Sequence, residues 1–208
     1  MDQLITIFDL FGTVVFAVTG AVRGVKAKLD LLGVVVLSCV VGVGGGMMRD
    51  AIIGATPAAA LTSESYLVLC IAAGVTVFFM SEKIMKSRHL ITVFDAVGLG
   101  VFTVLGAAKG VNYDLAPVGV VLTGTLTAVG GGMLRDVLVG TVPEVLRRDF
   151  YATASLIGGV VYLFLIDTAL PYYVNFLIVA FLVTAIRLTA FHYKFQLPKA
   201  GEPPTPAE

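Results

Sequence analysis

The sequence predicts an all-α membrane protein of seven transmembrane helices, arranged as two inverted three-helix repeats plus a seventh helix. Three observations lead there. Of 208 residues, 58% are hydrophobic and 13% charged, where an ordinary soluble domain carries about 25% charged residues. The apolar residues fall in runs long enough to cross a bilayer. The chain also repeats itself after 86 residues.

The apolar runs cover 4–22, 31–48, 65–81, 90–108, 115–134, 150–166 and 170–190. A spanning helix needs about 20 residues. Backbone groups in lipid must be satisfied within their own segment, and runs of this length exclude barrel strands. The first run has no basic leader and follows Asp2, so it reads as a span and not a signal peptide. The stretch 194–208 ends in AGEPPTPAE and reads as a disordered cytoplasmic tail.

A shift of 86 residues superposes the sequence on itself without a gap. From Phe8 to Pro57, 23 of 50 positions are identical. Phe8-Asp9 falls on Phe94-Asp95, Gly20-Ala21 on Gly106-Ala107, and Arg49-Asp50 on Arg135-Asp136. Each unit holds three helices, and an odd number reverses direction, so the units at 1–86 and 87–168 are inverted repeats. A seventh helix at 169–193 stands outside the pattern.

Orientation follows from the basic residues. Eleven lie on the C-terminal side: Arg23, Lys26, Lys28, Lys83, Lys86, Arg88, Arg147, Arg148, Arg187, Lys194 and Lys199. Lys109 alone lies on the other, with Arg49 and Arg135 set aside inside the repeated motif. This bias puts the C-terminus in the cytoplasm and the N-terminus outside, in a multi-pass plasma (inner) membrane protein.

The stretch VGVGGGMMRD, from Val41 to Asp50, recurs as TAVGGGMLRD, from Thr127 to Asp136. Each glycine costs a helix about 1 kcal/mol relative to alanine, so a triplet marks a weak point. Gly-interrupted helices at matching positions of inverted repeats point to a permeation or binding site. The expectation is that helices two and five are kinked or unwound at Gly44, Gly45, Gly46 and at Gly130, Gly131, Gly132. A competing reading is packing, since Gly42 and Gly46 form a small-xxx-small face.

Ionisable residues within spans are costly and are functional candidates by default. Here they are Asp9, Asp95, Arg49, Asp50, Arg135 and Asp136. Arg49 and Arg135 are expected to pair with Asp9 and Asp95 across the interface between repeats; the bland alternative is an interfacial anchor. Their formal sum is two negative charges, which suits cations. Ser38, Thr123, Thr125 and Thr127 either line a polar path or bond back to their own helices.

Other classes find little support. Net charge is zero, which offers no bulk electrostatic partner, nucleic acid included. Cys39 and Cys70 sit in apolar runs and read as small buried hydrophobes. His89 and His192 lie at segment ends among basic residues and read as solvated. No metal cluster, phosphate loop or nucleophile motif appears, so neither an enzyme nor a cofactor is implied.

Two inverted repeats, a GGG-x-x-RD in the second helix of each, Phe-Asp upstream and a lone seventh helix resemble the trimeric intracellular cation (TRIC) channels in their prokaryotic form. The resemblance covers roughly residues 2–193. It implies a homotrimer with a pore in every subunit, in contact with membrane lipids and permeable to K⁺ and Na⁺, chiefly potassium. The same sequence family includes members described as glycine transporters, so a transporter of a small zwitterion is the alternative. In the animal members a Lys-Glu-Val-x-Arg motif binds a phosphoinositide. The matching stretch here is Pro143-Glu144-Val145-Leu146-Arg147, with proline in place of lysine. Arg147 and Arg148 are left as contacts to lipid headgroups.

Overall fold

A computed structural model describes residues 2–81, 90–147, 150–193 and 195. Lys83, Lys86, Arg88, His89, Arg148, Lys194, Lys199 and the expected tail at 196–208 lie outside the described residues. The described chain is helical throughout: α1 (Asp2–Lys26), α2 (Leu31–Ile53), α3 (Ala59–Thr62), α4 (Glu64–Phe79), α5 (Leu90–Asn112), α6 (Pro117–Leu138), α7 (Glu144–Arg147), α8 (Ala152–Ile166) and α9 (Tyr172–Tyr193).

Five of these, α1, α2, α5, α6 and α9, are long and apolar enough to cross a membrane. Helices α4 and α8 are equally apolar but shorter, at 16 and 15 residues, about 24 and 22 Å at 1.5 Å per residue. Large apolar side chains cover the outside, Phe79, Phe164 and Phe181 among them. A lipid-facing surface has this composition, since lipid tails are as apolar as these side chains and burying them inside the protein brings no hydrophobic gain.

Local sequence sets the helix ends. Asp30 caps α2 by accepting a hydrogen bond from the Gly33 N–H at 2.7 Å. Pro117 opens α6 at a position where the missing N–H is unneeded. Gly54 and Gly140, equivalent under the shift, take φ of +74° and +70° just beyond α2 and α6. That left-handed turn favours glycine. Lys28 and Asp114 are also equivalent, and both have positive φ, +60° and +51°.

The two halves pack by exchanging contacts. A Cβ added at Gly12 would meet Phe102, and one at Gly98 would meet Phe16. These are the same contact read from either half. Phe16 and Phe102 lie with ring centroids 5.0 Å apart in the main core. A Cβ at Gly45 would strike the Thr127 carbonyl oxygen, and one at Gly131 would strike the Val41 carbonyl oxygen. Thr127 is Val41 displaced by 86 residues. Helices α2 and α6 therefore cross backbone to backbone, on the middle glycine of each triplet. Helix α1 packs on α2, α4 and α5, while α9 packs on α5 and α8.

At the glycine triplets the expected unwinding is absent. Both lie within unbroken α-helix, from Leu31 to Ile53 and from Pro117 to Leu138. No unwinding occurs at Gly44–Gly46 or at Gly130–Gly132. At Gly44, Gly45, Gly130 and Gly131 the missing side chains allow close approach, whereas Gly46 borders open space. Removing Cβ lets one helix rest on the other's carbonyls, which offsets the helix-forming cost of glycine.

Candidate functional site

The repeated Arg-Asp pairs end α2 and α6 and are buried with apolar helices around them. Around Arg49, the guanidinium Nε donates to Asp50 Oδ1 at 2.8 Å. Asp50 Oδ2 accepts the Ala59 N–H at 3.0 Å, at the start of α3. Asp50 Oδ1 also accepts from Lys109 Nζ at 2.7 Å. Asp9 accepts from the Tyr66 hydroxyl at 2.8 Å.

Around Arg135 the same framework recurs and is filled in. Arg135 Nε donates to Asp136 Oδ1 at 3.0 Å, and its Nη1 donates to Asp95 Oδ1 at 2.8 Å. Asp136 Oδ2 accepts the Glu144 N–H at 2.9 Å, at the start of α7. Glu144 Oε2 lies 3.4 Å from Arg187 Nη2 of α9.

Only half of the expected carboxylate pairing is therefore found. Arg135 bridges Asp95 and Asp136, but within its own half and not across the interface. Arg49 holds Asp50 and leaves Asp9 to Tyr66. One bond that crosses between halves runs from Lys109 to Asp50. Its counterpart is Arg23, equivalent to Lys109, whose Nη2 donates to Thr141 Oγ1 at 3.2 Å beside Asp136.

A small cleft with about 20 Å³ of water-sized space enters the first half. Asp9, Thr13, Gly42, Gly46, Arg49 and Tyr66 are among its walls. Gly46 leaves the space open: the nearest atom to an added Cβ is Arg49 Nη2, 3.7 Å away. At the equivalent Gly132 the Tyr151 hydroxyl stands 2.8 Å from that position. The third glycine of each triplet thus borders an arginine, with space on one side and a tyrosine on the other.

Of the two readings of the hydroxyls, the structure shows bonds to backbone carbonyls. Thr123, Thr125 and Thr127 bond back to the carbonyls of Gly119, Val121 and Thr123 in their own helix. Ser38 donates to the Ala17 and Cys70 carbonyls and ties three helices together. None of the four borders the cleft; Thr13 does. Each hydroxyl is satisfied by backbone, as a buried donor must be. Cys39 is half-buried, Cys70 is fully buried, and both are free thiols. Arg147 is exposed in α7, as is His192 near the end of α9. Among the described residues no group of His, Cys, Asp or Glu is placed to hold a metal ion.

Sequence reasoning missed Tyr66, Lys109, Glu144, Tyr151 and Arg187 as members of these clusters. Lys109 carried a signal, as the lone cation on its side. The others sit outside the repeated motif, and Arg187, counted as a cytoplasmic charge, is buried inside the protein.

The family model described as glycine transporter matches residues 6–82 and 92–167. The solved structure of the TRIC trimeric intracellular cation channel orthologue from Rhodobacter sphaeroides has 32% identity and a TM-score of 0.88. The match covers 93% of this chain and 100% of that one. The chain belongs to the TRIC family. A second TRIC cation channel structure agrees, at 34% identity and a TM-score of 0.85 over 96% of this chain and 98% of that one. The Escherichia coli K12 relative, UPF0126 inner membrane protein YadS, is 34% identical over 198 residues, 94% of this chain and 96% of that protein. This chain is a membrane protein with the TRIC fold.

Proposed function

We propose that this TRIC chain is a cation channel, selective for monovalent cations and chiefly potassium, that works as a homotrimer with one path inside each subunit. The observation that supports it is the charge-lined cleft between α1, α2, α3 and α4, enclosed by helices of a single chain. Ionisable side chains in such surroundings mark ion pathways. The two clusters hold five carboxylates (Asp9, Asp50, Asp95, Asp136, Glu144) and four cations (Arg49, Lys109, Arg135, Arg187). One negative charge remains, which favours cations. The related channel structures support the same reading.

In this topology α1, α2, α4, α5, α6, α8 and α9 cross the bilayer, with two inverted three-helix repeats at 1–86 and 87–168. The reciprocal contacts of α2 and α6 support that inversion. The N-terminus faces outside, the C-terminus is cytoplasmic, and the membrane is the inner one. The Asp9–Arg49 cluster then opens outward, and the Asp95–Arg135 cluster forms the inner barrier. The glycine triplets serve the path by bringing α2 and α6 together, and Asp9, Asp50 and Lys109 face its outer end. Thr13 supplies the polar wall, and Arg147 contacts headgroups.

Planar-bilayer recording of purified protein in symmetrical KCl tests this. Unitary K⁺ current without any coupling gradient is the expected result. In a linked trimer with one subunit carrying Gly46→Leu, which fills the cleft, maximal current should fall by about a third, because each chain encloses its own path. Complete loss, with assembly intact, would establish a shared central pore.

One observation favours a transporter of a small zwitterion as the second reading. Asp9 and Arg49 border one cleft without bonding each other, so a carboxylate and a guanidinium face one space. An amino acid presents the matching ammonium and carboxylate. Saturable glycine uptake with no unitary K⁺ current would favour this reading over the channel.

A further inference from the structure

Arg187 lies on α9, the helix outside the repeat, and is 2% exposed. Its guanidinium carbon stands 4.6 Å from the centroid of the Tyr151 ring. Its Nη2 reaches Glu144 Oε2 at 3.4 Å, while its Nε has no hydrogen-bond partner among the described residues. An arginine stacked on a buried ring gains a cation–π attraction that water does not screen. The guanidinium therefore holds two things at once. One is Tyr151, whose hydroxyl fills the space over Gly132 beside Arg135. The other is Glu144, whose N–H is tied to Asp136.

On the barrier side the Tyr151 hydroxyl and Asp95 Oδ2 are buried beside each other and have no other hydrogen-bond partner among the described residues. Arg187 restrains the ring on its other face. The opposite face of α9 carries Leu177, Ile178 and Phe181, all exposed. One helix thus joins the protein's surface to the barrier.

We propose that Arg187 is a positioning residue that latches Tyr151 over Gly132 and so holds the second-half barrier closed, with α9 as the lever. The proposal rests on the channel reading above. The first half has no equivalent, because α9 has no repeat partner, and there the matching position is open cleft. The latch acts on the population of the closed state and not on the width of the open path.

Single-channel recording of the full chain in KCl tests it. Arg187→Gln should raise the open-to-closed ratio by about threefold to thirtyfold, the range a desolvated cation–π contact supports. Unitary conductance should not change. Arg187→Lys keeps a cation and should give an intermediate ratio. Tyr151→Leu should copy Arg187→Gln, and the double variant should add nothing further. Wild-type open probability in both single variants, alongside lowered thermal stability, would overturn the latch and leave Arg187 a structural ion pair. Should Arg187→Gln fail to assemble, Tyr151→Leu and Glu144→Gln read the same ratio. A wild type without unitary current would remove the channel reading. The latch would then be read by hydrogen exchange: faster exchange in Arg187→Gln at Tyr151, with none at Tyr66, supports it, and equal exchange overturns it.

Discussion

Arg49 and Arg135 occupy matching positions, yet Gly46 borders an open cleft where Gly132 is covered by the Tyr151 hydroxyl. The backbone does not explain the difference. Both arginines follow a glycine triplet, both bind the next aspartate through Nε, and both helices end at a glycine of positive φ. The side chains that arrive from elsewhere explain it. Around Arg135, Asp95, Tyr151, Glu144 and Arg187 converge, and the Tyr151 hydroxyl covers Gly132. Around Arg49, Tyr66 takes Asp9 for itself, and Lys109 arrives from the other half to hold Asp50. The repeat builds two equal frames, and non-repeated residues leave a cleft beside Gly46 in one and cover Gly132 in the other.

The largest effect should come from what the two frames share. Gly45→Leu or Gly131→Leu places a side chain against a carbonyl that cannot move without parting α2 from α6. Each should cost about 3 kcal/mol or more, the upper end of overpacking effects. Denaturation in detergent should show similar losses for the two. A large loss for one alone would mean that the crossing is not symmetric.

The charges should separate the frames. Asp95→Asn removes one of two carboxylates from a fully buried arginine and should destabilise by about 3 kcal/mol, as broken buried pairs do. Asp9→Asn leaves an acceptor for the Tyr66 hydroxyl and opens onto the cleft, so its cost should be about 1 kcal/mol or less. Equal losses in the same denaturation measurement would show that the first frame is as tightly closed as the second.

The smallest effect belongs to the third glycines. Gly46→Ala meets nothing closer than 3.7 Å and should be neutral or stabilising by up to about 1 kcal/mol, through helix propensity. Gly132→Ala presses on the Tyr151 hydroxyl and should lose that gain. A thermal-shift comparison of the two would sharpen the contrast, and identical shifts would erase it.

Much of the fold was legible in the sequence. The apolar runs located the long helices because bilayer thickness fixes their length. The 86-residue shift pairs Gly12 with Gly98 and Lys28 with Asp114, and in the structure the members of each pair behave alike. The candidate clusters were legible at Asp95, Arg135 and Asp136, since charges in apolar helices must find partners. The glycine triplets misled because a helix-weakening composition also permits close packing. Local propensity cannot distinguish the two, and only the presence of Val41 and Thr127 carbonyls at the crossing does so. The threonines were ambiguous for a related reason: a hydroxyl in a helix always has its own carbonyls within reach.

The sequence by itself determined the helical class, the repeat, and which charges would be trapped among apolar side chains. These follow from periodicity, length and the cost of burying charge, all local properties. Which carboxylate each arginine would take, and which frame would stay open, was decided by tertiary structure. Tyr66 reaches Asp9 across 57 residues, Lys109 reaches Asp50 across 59, and Arg187 reaches Glu144 across 43. Contacts at such separations depend on how helices lie against one another, which no local pattern encodes.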